Sequence, residues 1–597
     1  MTAHENIPER LNKLRELMQA AGADYYYVPS VDPHRNEYVP DHWQRRKWIS
    51  GFTGSAGDAL IGLDKAYLWT DPRYFLQADL QLDKSVYELM KMAQGEPSLD
   101  QWLLQQKEGL TFAVDPKVIS IRQAQKLKTA LDLKKGKLLL LENNLIDQIW
   151  ANQPPLPQAP VQLHDVAYAG VSTIEKLKTL KIALENKADS MVATMLDAIA
   201  WTFNIRGNDV TYNPLLISYA IISKDHVTIF VDPIKVTKDF RDYCAENHIE
   251  IKPYAEFGDA LKQLKGTIWL DPDSCNYWVE QQLKKTKQHY ETLPITLMKA
   301  VKNPTEQMGM RRAHIFDAVA MVNFLFWLEN HWKEGVTELS AADKLEAFRR
   351  AETRCVDLSF TTISGFGPHS AIIHYGVNEE TNIPIDDSSI YLIDSGGQYY
   401  LGTTDITRTI HLGKPTEQQK HHYTLVLKGH LAIRQLIFVH GTCGEHINAF
   451  AHSALWREAL DFGHGTGHGV GCYLCVHEFP PRISAAQTHA PLLPGMIVSN
   501  EPGVYFDNQY GIRIENLCMV REVYSQAQSA TGHGPFYGFE DLTLVPYCRK
   551  LINKRDLSPE EIDAVNEYHR LVYTTLKDYF AENKPILKWL KRETKPL

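Results

Sequence analysis

The chain has 597 residues, of which 44% are hydrophobic and 23% charged, and 63 Lys and Arg against 72 Asp and Glu give a formal net charge of −9. This length predicts three or four structural units of about 150 residues. The composition is that of a folded globular protein and excludes collagenous, disordered and disulfide-scaffold classes. The negative charge is spread along the chain, which argues against nucleic-acid or anionic-membrane binding.

The first ten residues show no apolar run behind a basic cluster, so the sequence predicts no signal peptide. No stretch reaches the roughly 18 apolar residues that a membrane span needs, and no membrane anchor is predicted. The eight cysteines are mostly isolated, as in proteins that keep their thiols reduced. We therefore expect a cytoplasmic protein.

Four predicted strands end in the same Asp-Pro dipeptide, in two pairs with helix-like stretches between. Each strand is apolar and rich in β-branched or aromatic residues, and the Asp-Pro that follows favours a turn and removes a backbone donor. Two similar α/β units in tandem would produce this pattern, although chance recurrence of a common strand ending is the alternative. The four segments are Tyr67–Pro72, Thr111–Pro116, Thr228–Pro233 and Thr267–Pro272.

Composition also suggests where the units end. The proline-rich stretch 153–160 cannot be helical and indicates an extended linker. Asn303-Pro304-Thr305-Glu306 offers a cap, a first-turn proline and a glutamate three residues on, which predicts a helix running to about Trp332. A similar start at Ser558 predicts a C-terminal helix. We expect domains at 1–155, 156–303 and 304–597.

Carboxylates stand at strand ends in the last third of the chain. The apolar strand 389–393 ends at Asp394, and a return strand over 402–409 carries Asp405. Strict alternation would put Thr403, Asp405 and Thr407 on one face, so that the two aspartates converge. Two buried carboxylates that close repel each other unless a cation lies between them, which points to a divalent metal.

Further candidate ligands follow downstream. The glycine-rich segment 462–471 carries His468 and predicts an irregular or strand segment with close backbone approach. The strand 496–500 ends at Glu501, and alternation over 511–516 places Arg513 and Glu515 on one face. Taken alone, each acid is best explained as a turn former and each histidine as packing. Together, four carboxylates and one imidazole suit two divalent cations, with manganese, cobalt or zinc favoured, and amide or ester hydrolysis.

These residues carry a resemblance to a known family. The ordered set resembles the M24 "pita-bread" metallopeptidases, and within them the long, three-domain Xaa-Pro aminopeptidases. Ser50–Gly57, Trp69–Phe75 and Ile373–Tyr375 extend the resemblance over nearly the whole chain. It implies two similar N-terminal α/β (creatinase-like) domains followed by an α+β pita-bread catalytic domain. The motifs are Asp394-Ser-Gly, Thr-Thr-Asp405, His464-Gly-Thr-Gly-His468-Gly-Val-Gly, Asn-Glu501-Pro-Gly and Ile-Arg-Ile-Glu515-Asn.

The resemblance also implies roles. Asp394 would chelate one metal, Asp405 and Glu515 would bridge two, and His468 and Glu501 would complete the second. Glu501 would also act as general base. The residues that would line the substrate site are His374, His464, His477 and Arg513, with His374 and His477 contacting the peptide carbonyl or its oxyanion and Arg513 orienting the ligands. One local difference, Pro368-His369-Ser370, affects the rim of the pocket.

The expected activity is release of the N-terminal residue from peptides with proline second, with two divalent ions, manganese first, and a homodimeric assembly. A prolidase, which cuts only dipeptides, is the alternative enzyme, and two full domains ahead of the catalytic part disfavour it. A metal-free pita-bread peptide-binding module predicts missing ligands, as does creatinase-like hydrolysis without metal. All five ligand positions are filled here.

Overall fold

The computed structural model describes residues 7–92 and 96–597, so most of the segment on which the signal-peptide prediction rests lies outside the described residues. The chain divides into two compact units, one holding residues up to 166 and 171–296, the other 167–170 and 297–597. Within the described part of the chain, no helix combines the length and the apolar character that crossing a membrane requires.

The first six-stranded sheet lies in the first 140 residues. Its strand order is β4-β3-β2-β1-β5-β6, with β1, β2 and β3 antiparallel and the outer strands parallel to their neighbours. The elements are α1 Ile7–Ala21, β1 Tyr25–Val28, α2 Arg45–Ser50, β2 Asp58–Gly62, β3 Ala66–Thr70, α3 Phe75–Gln81, β4 Tyr87–Lys91, α4 Leu99–Gln105, β5 Thr111–Val114, α5 Ile121–Leu133 and β6 Lys137–Leu140.

A second six-stranded sheet follows, in the order β12-β11-β10-β8-β13-β14. The elements of this part are β7 Gln162–Leu163, α6 Val166–Ala169, α7 Thr173–Leu184, β8 Ser190–Ala193, α8 Leu196–Thr202, β9 Ile205–Arg206, β10 Ser218–Ser223, β11 Val227–Val231, α9 Lys238–Glu246, β12 Glu250–Pro253, α10 Phe257–Gln263, β13 Thr267–Leu270, α11 Tyr277–Gln282, β14 Lys287–Tyr290 and α12 Pro294–Ala300.

The two sheets match strand for strand, in order and in direction. The four strands that end in Asp-Pro are β3, β5, β11 and β13, and they hold equivalent places. The predicted tandem repeat is therefore confirmed, and chance recurrence is not its cause.

The remaining unit is built on a six-stranded sheet, β21-β28-β27-β24-β22-β23, two three-stranded sheets, β16-β17-β20 and β15-β18-β19, and the hairpin β25-β26. The elements are α13 Pro304–His331, α14 Glu338–Arg350, β15 Cys355–Leu358, β16 Ile363–Phe366, β17 Ile390–Ser395, β18 Gly397–Tyr399, β19 Gly402–Thr403, β20 Ile406–His411, α15 Glu417–Arg434, β21 Phe438–Val439, α16 Gly444–Trp456, β22 Gly467–Gly469, β23 Glu478–Ile483, β24 Ile497–Asn500, β25 Gly503–Phe506, β26 Tyr510–Arg513, β27 Asn516–Tyr524, β28 Phe536–Asp541, α17 Pro559–Leu576 and α18 Lys584–Glu593.

Short 3₁₀ turns connect several elements. They are Asp41–Trp43, Pro233–Lys235, Tyr254–Glu256, Trp332–Glu334, Gly367–Ala371, Gln526–Gln528, Arg549–Leu551, Lys554–Asp556 and Lys577–Phe580.

Helix α13 begins where its cap was predicted. Asn303 Oδ1 accepts from the backbone N–H groups of Thr305 and Glu306, and Glu306 Oε2 accepts from Asn303 N at 3.0 Å. These bonds satisfy donors that a helix start leaves free. Helix α17 starts at Pro559 behind Ser558 in the same way. A single apolar cluster packs α13, α15 and α17 against the sheets that carry the candidate ligands.

The predicted continuous return strand over 402–409 is wrong. Strand β19 ends at Thr403 and β20 begins at Ile406, and the two strands belong to different sheets. Thr404 causes the switch, because its N–H donates to Gly397 O and its Oγ1 accepts from Gly397 N, both at 2.9 Å. Asp405 therefore lies in a break between strands, and alternation does not place it.

Candidate metal centre

Five elements deliver the predicted ligands to one place in the second unit. Asp394 lies in β17, Asp405 just before β20, His468 in β22, Glu501 directly after β24, and Glu515 between β26 and β27. The side chains form overlapping groups whose ligand atoms all lie within 4.8 Å of one another: Asp394, Asp405 and Glu515; His468, Glu501 and Glu515; and Asp405, His468 and His477.

The imidazole of His468 faces two of these carboxylates. Its Nε2 lies 3.5 Å from Asp405 Oδ2 and 3.4 Å from Glu501 Oε1. Its Nδ1 lies 2.9 Å from Gly469 O, a contact that fixes the ring orientation. A Cβ on Gly467 would approach Ser499 O to 1.9 Å, and one on Gly469 would approach Glu478 O to 2.3 Å. These glycines therefore let β22 lie close enough to its neighbours for the imidazole to reach the carboxylates.

The carboxylates of this cluster lie close to one another in a buried site. Burial, followed by the charges of Asp394 and Glu501, raises the pKa of Asp405 well above its usual value. Burial and the charges of Asp405, Glu501 and Asp394 raise the pKa of Glu515 in the same way. Burial also raises the pKa of Glu501, against the opposing effect of His468. Such a cluster favours either bound protons or bound cations.

Buried polar atoms of the cluster that lack a hydrogen-bond partner indicate whether a metal ion fits this site. Asp394 Oδ1, Asp405 Oδ1 and Glu515 Oε1 are buried and have no hydrogen-bond partner among the described residues. Buried polar atoms without a partner are rare because each carries a desolvation penalty. Carboxylate oxygens with one imidazole are a donor set that manganese, cobalt or zinc accepts. The residues present thus fit a pair of divalent cations.

Arg513 connects the cluster to its surroundings. Its Nη2 bonds Asp394 Oδ2 at 2.7 Å, its Nε donates to Thr407 Oγ1 at 3.1 Å, and its Nη1 donates to Tyr505 OH at 2.8 Å. Thr407 Oγ1 donates in turn to Glu515 Oε2 at 2.7 Å. The guanidinium therefore orients two carboxylates at once, one directly and one through a hydroxyl.

The three remaining predicted histidines differ in position. His464 Nε2 lies 2.8 Å from Tyr505 OH, and the ring is half-buried. The ring of His477 stands perpendicular to that of His468 with centroids 4.4 Å apart, so His477 also lies within reach of the ligand cluster. His374 is half-buried in a turn that follows Gly367–Ala371.

A buried glutamate holds the segment that carries His374. Glu338 is fully buried and accepts from Phe366 N at 2.6 Å and from Tyr375 OH at 3.1 Å. Its carboxylate also lies 3.0 Å from Nδ1 of His369, whose ring stacks on Tyr375. The segment Pro368-His369-Ser370 is thereby tied to helix α14.

Sequence reasoning missed three residues that shape the site: Thr407, Tyr505 and Glu338. Thr407 was assigned only to a face of its strand. Tyr505 is an aromatic strand residue four positions after Glu501, and the antiparallel pairing of β25 with β26 brings it beside Arg513. Glu338 sits in the first turn of α14 and resembles a helix-start glutamate. A hairpin prediction over 503–513 would have found Tyr505; nothing local identifies Glu338.

Comparisons with family models divide the chain into four parts. Residues 308–522 match metallopeptidase family M24, and residues 535–597 match the C-terminal region of that peptidase family. Residues 10–146 and 152–306 each match the Creatinase/Prolidase N-terminal domain.

Curated proteins and solved structures give the same result. The chain is 44% identical to the Probable Xaa-Pro aminopeptidase P of Sordaria macrospora, with 99% of each chain covered. It is 43% identical to the protein of that name from Neurospora crassa, covering 99% of this chain and 89% of the relative. The crystal structure of an X-prolyl aminopeptidase from Caenorhabditis elegans, described as a cytosolic enzyme with a di-nuclear active site, superposes with a TM-score of 0.96 at 34% identity and full coverage of both chains.

Proposed function

The chain belongs to metallopeptidase family M24, and we propose that it is a metal-dependent aminopeptidase that releases the N-terminal residue from peptides with proline second. The observation that carries the proposal is the cluster of four carboxylates and the imidazole of His468, with His477 beside it, in which three buried oxygens lack a hydrogen-bond partner among the described residues. Names of relatives that match over the full length support the substrate class.

Two divalent ions would be held by the five clustered side chains. We assign Asp394 to one ion, Asp405 and Glu515 to both as bridging ligands, and His468 and Glu501 to the other. Manganese is our first choice, with zinc or cobalt as alternatives, because the donor set is rich in oxygen.

When bound, such ions supply an acidified water and polarise the substrate carbonyl. Glu501 would take the proton of the attacking water, and the hydroxyl of Ser499, which donates to Glu501 Oε1 at 3.1 Å, orients it. The imidazoles of His374 and His477 would donate to the carbonyl oxygen as negative charge develops on it.

His464 and Arg513 would shape the substrate site through Tyr505, whose hydroxyl contacts both. The proline of the substrate has no N–H and a fixed φ, so the site must select its ring by shape rather than by a hydrogen bond. Because the Tyr505 hydroxyl contacts both His464 and Arg513, loss of Tyr505 would disturb both the lining of the substrate site and the hydrogen bonds that orient the metal ligands.

The domain organisation and the setting are part of the proposal. We place the boundaries near 155 and 303, with residues 304–597 as the catalytic domain, and we expect a homodimer through that domain. The cytoplasm is the compartment we propose. A light-scattering mass equal to that of one chain would contradict the proposed homodimer.

The test compares an Arg-Pro-Pro peptide with a Gly-Pro dipeptide on chelated protein and after manganese, cobalt or zinc is restored. We expect metal-dependent release of a single N-terminal arginine from the longer peptide. Cleavage of the dipeptide alone would make the protein a prolidase. Absence of cleavage of either substrate by protein shown to hold metal would contradict the proposal and favour a binding module.

A further inference from the structure

Arg408 lies three residues after Asp405 on β20 and is only 1% exposed. Its guanidinium is held by neutral acceptors. In the described part of the chain, no carboxylate oxygen lies within 4 Å of it. Its six hydrogen bonds go to Thr407 O (2.9 Å), Glu515 O (2.7 Å), Asn516 Oδ1 (2.8 Å), Val545 O (2.7 Å), Pro546 O (3.2 Å) and Tyr568 OH (3.1 Å).

Other buried guanidinium groups of this unit are paired with acids. Arg349 bonds both oxygens of Asp317, and Arg513 bonds Asp394. A buried charge without a partner of opposite sign carries a desolvation penalty, and the six hydrogen bonds of Arg408 to neutral acceptors offset it. The bonds of Arg408 thus call for a role other than ion pairing.

The partners of Arg408 come from three segments. Thr407 belongs to the strand that follows Asp405. Glu515 directly precedes β27 and Asn516 begins it, and Val545, Pro546 and Tyr568 belong to the C-terminal part of the chain. One nitrogen, Nη1, donates to Thr407 O and to Glu515 O, and it thereby reinforces the direct backbone bond from Glu515 N to Thr407 O (3.2 Å) that joins the two ligand-bearing segments. The side chains of the same two residues meet on the other side, where Thr407 Oγ1 donates to Glu515 Oε2.

We propose that Arg408 is a positioning residue of the metal centre, through which the C-terminal segment 545–568 holds the Glu515 and Asp405 ligand segments at a fixed separation. The inference rests on the proposed function of that centre. A planar fork spreads five N–H donors over three nitrogens and so bonds all three segments, whereas an ammonium group has only three donors on a single nitrogen. Metal ligands held even slightly loosely bind and orient a cation less well.

The charge of Arg408 has the opposite effect on a cation from its hydrogen bonds. A positive charge near the centre repels divalent metal, so a purely electrostatic Arg408 would weaken metal binding, and lysine would preserve that effect. A positioning Arg408 strengthens metal binding, and lysine, which keeps the charge and loses the fork, removes that benefit. Arg408→Lys therefore separates the two roles.

The experiment measures manganese affinity by competition with a chromogenic chelator, together with kcat, KM and the melting temperature of the chelated protein. For Arg408→Lys we expect affinity to fall about tenfold, which corresponds to about 1.4 kcal/mol, and kcat to fall with KM within about twofold of the original. Tyr568→Phe, which removes one acceptor of the fork, should weaken affinity about threefold.

The matched control is Arg434→Lys. Arg434, whose side chain is 11% exposed, belongs to the same unit and pairs with Asp541, and within the described residues it makes no bond to a ligand-bearing residue. The Arg434→Lys substitution should lower the melting temperature and leave manganese affinity unchanged.

Unchanged affinity in folded Arg408→Lys, or an equal loss in Arg434→Lys, would overturn the inference. If Arg408→Lys does not fold, Tyr568→Phe decides, and its unchanged affinity would also overturn the inference. If the unsubstituted chain binds no manganese and cleaves neither peptide, the proposed function itself fails and takes this inference with it.

Discussion

Acidic residues at strand ends make two different kinds of contact in this molecule. In the two N-terminal sheets, the aspartate of every Asp-Pro ending accepts the backbone N–H two residues later. These contacts are local, so each carboxylate stabilises the turn that follows its strand. The donor–acceptor distances are 3.1 Å at Asp71, 2.9 Å at Asp115, 3.1 Å at Asp232 and 3.0 Å at Asp271.

In the second unit, the strand-end acids face one another. Asp394, Asp405 and Glu515 each keep a buried oxygen with no hydrogen-bond donor in the described residues, and burial with mutual repulsion raises the pKa of the last two. The comparison shows that the sequence feature is the same in both regions. The difference is whether a donor or another carboxylate lies within reach.

The largest effect that sharpens this comparison is expected from Asp405→Asn. Losing a bridging ligand should lower kcat/KM more than about 1,000-fold, beyond the roughly 100-fold that loss of an outer-shell partner costs. Metal content by elemental analysis should fall with it. Because a buried acid that burial and its neighbours disfavour in the ionised form is gone, the chelated variant should melt above the chelated parent. Retained activity would refute the bridging role.

His374→Ala tests where the metal cluster ends. We expect kcat to fall about 100- to 1,000-fold, as for loss of one oxyanion donor, while metal content stays at the level of the parent. Steady-state kinetics and elemental analysis on the same preparation measure both. Loss of metal in this variant would show that His374 belongs with the ligands rather than with the substrate site.

The pH dependence of stability offers a further contrast for the chelated protein. Acids whose pKa is raised on folding keep their protons after the unfolded chain has lost them, above a pH of about 4. Stability should then fall as pH rises, by up to about 1.4 kcal/mol per pH unit for each retained proton. Denaturant titrations between pH 5 and 8 measure this slope, which should be smaller in Asp405→Asn and absent after metal is restored. Equal slopes in parent and variant would contradict the pKa assignment.

The smallest effect is expected from Asp232→Ala in the N-terminal unit. The substitution removes the side chain that accepts from Ile234 N, so the free energy of unfolding should fall by about 1 kcal/mol. Activity and metal content should not change. A drop in either would mean that strand-end acids of the two regions are less distinct than their contacts imply.

Regular elements with local signals could be predicted from the sequence. Asn303 capped α13 as expected, and the Asp-Pro endings marked four strands in two matching sheets. The break at Asp405 could not be predicted, because it depends on the two contacts of Thr404 with Gly397, and nothing local distinguishes Thr404 from other strand threonines. The burial of Glu338 and the hydrogen bonds of the Arg408 guanidinium could not be predicted for the same reason.

By itself the sequence determined the tandem α/β repeat, the helix starts and the residue types available for a metal centre, because caps, turn residues and strand patterns act over a few residues. Only the tertiary structure decided that Asp405 leaves its strand, that His477 approaches the ligand cluster, and that Tyr505 bonds both His464 and Arg513. Those outcomes depend on contacts between segments far apart in the chain, where distance, burial and the presence of a donor decide what each side chain can do.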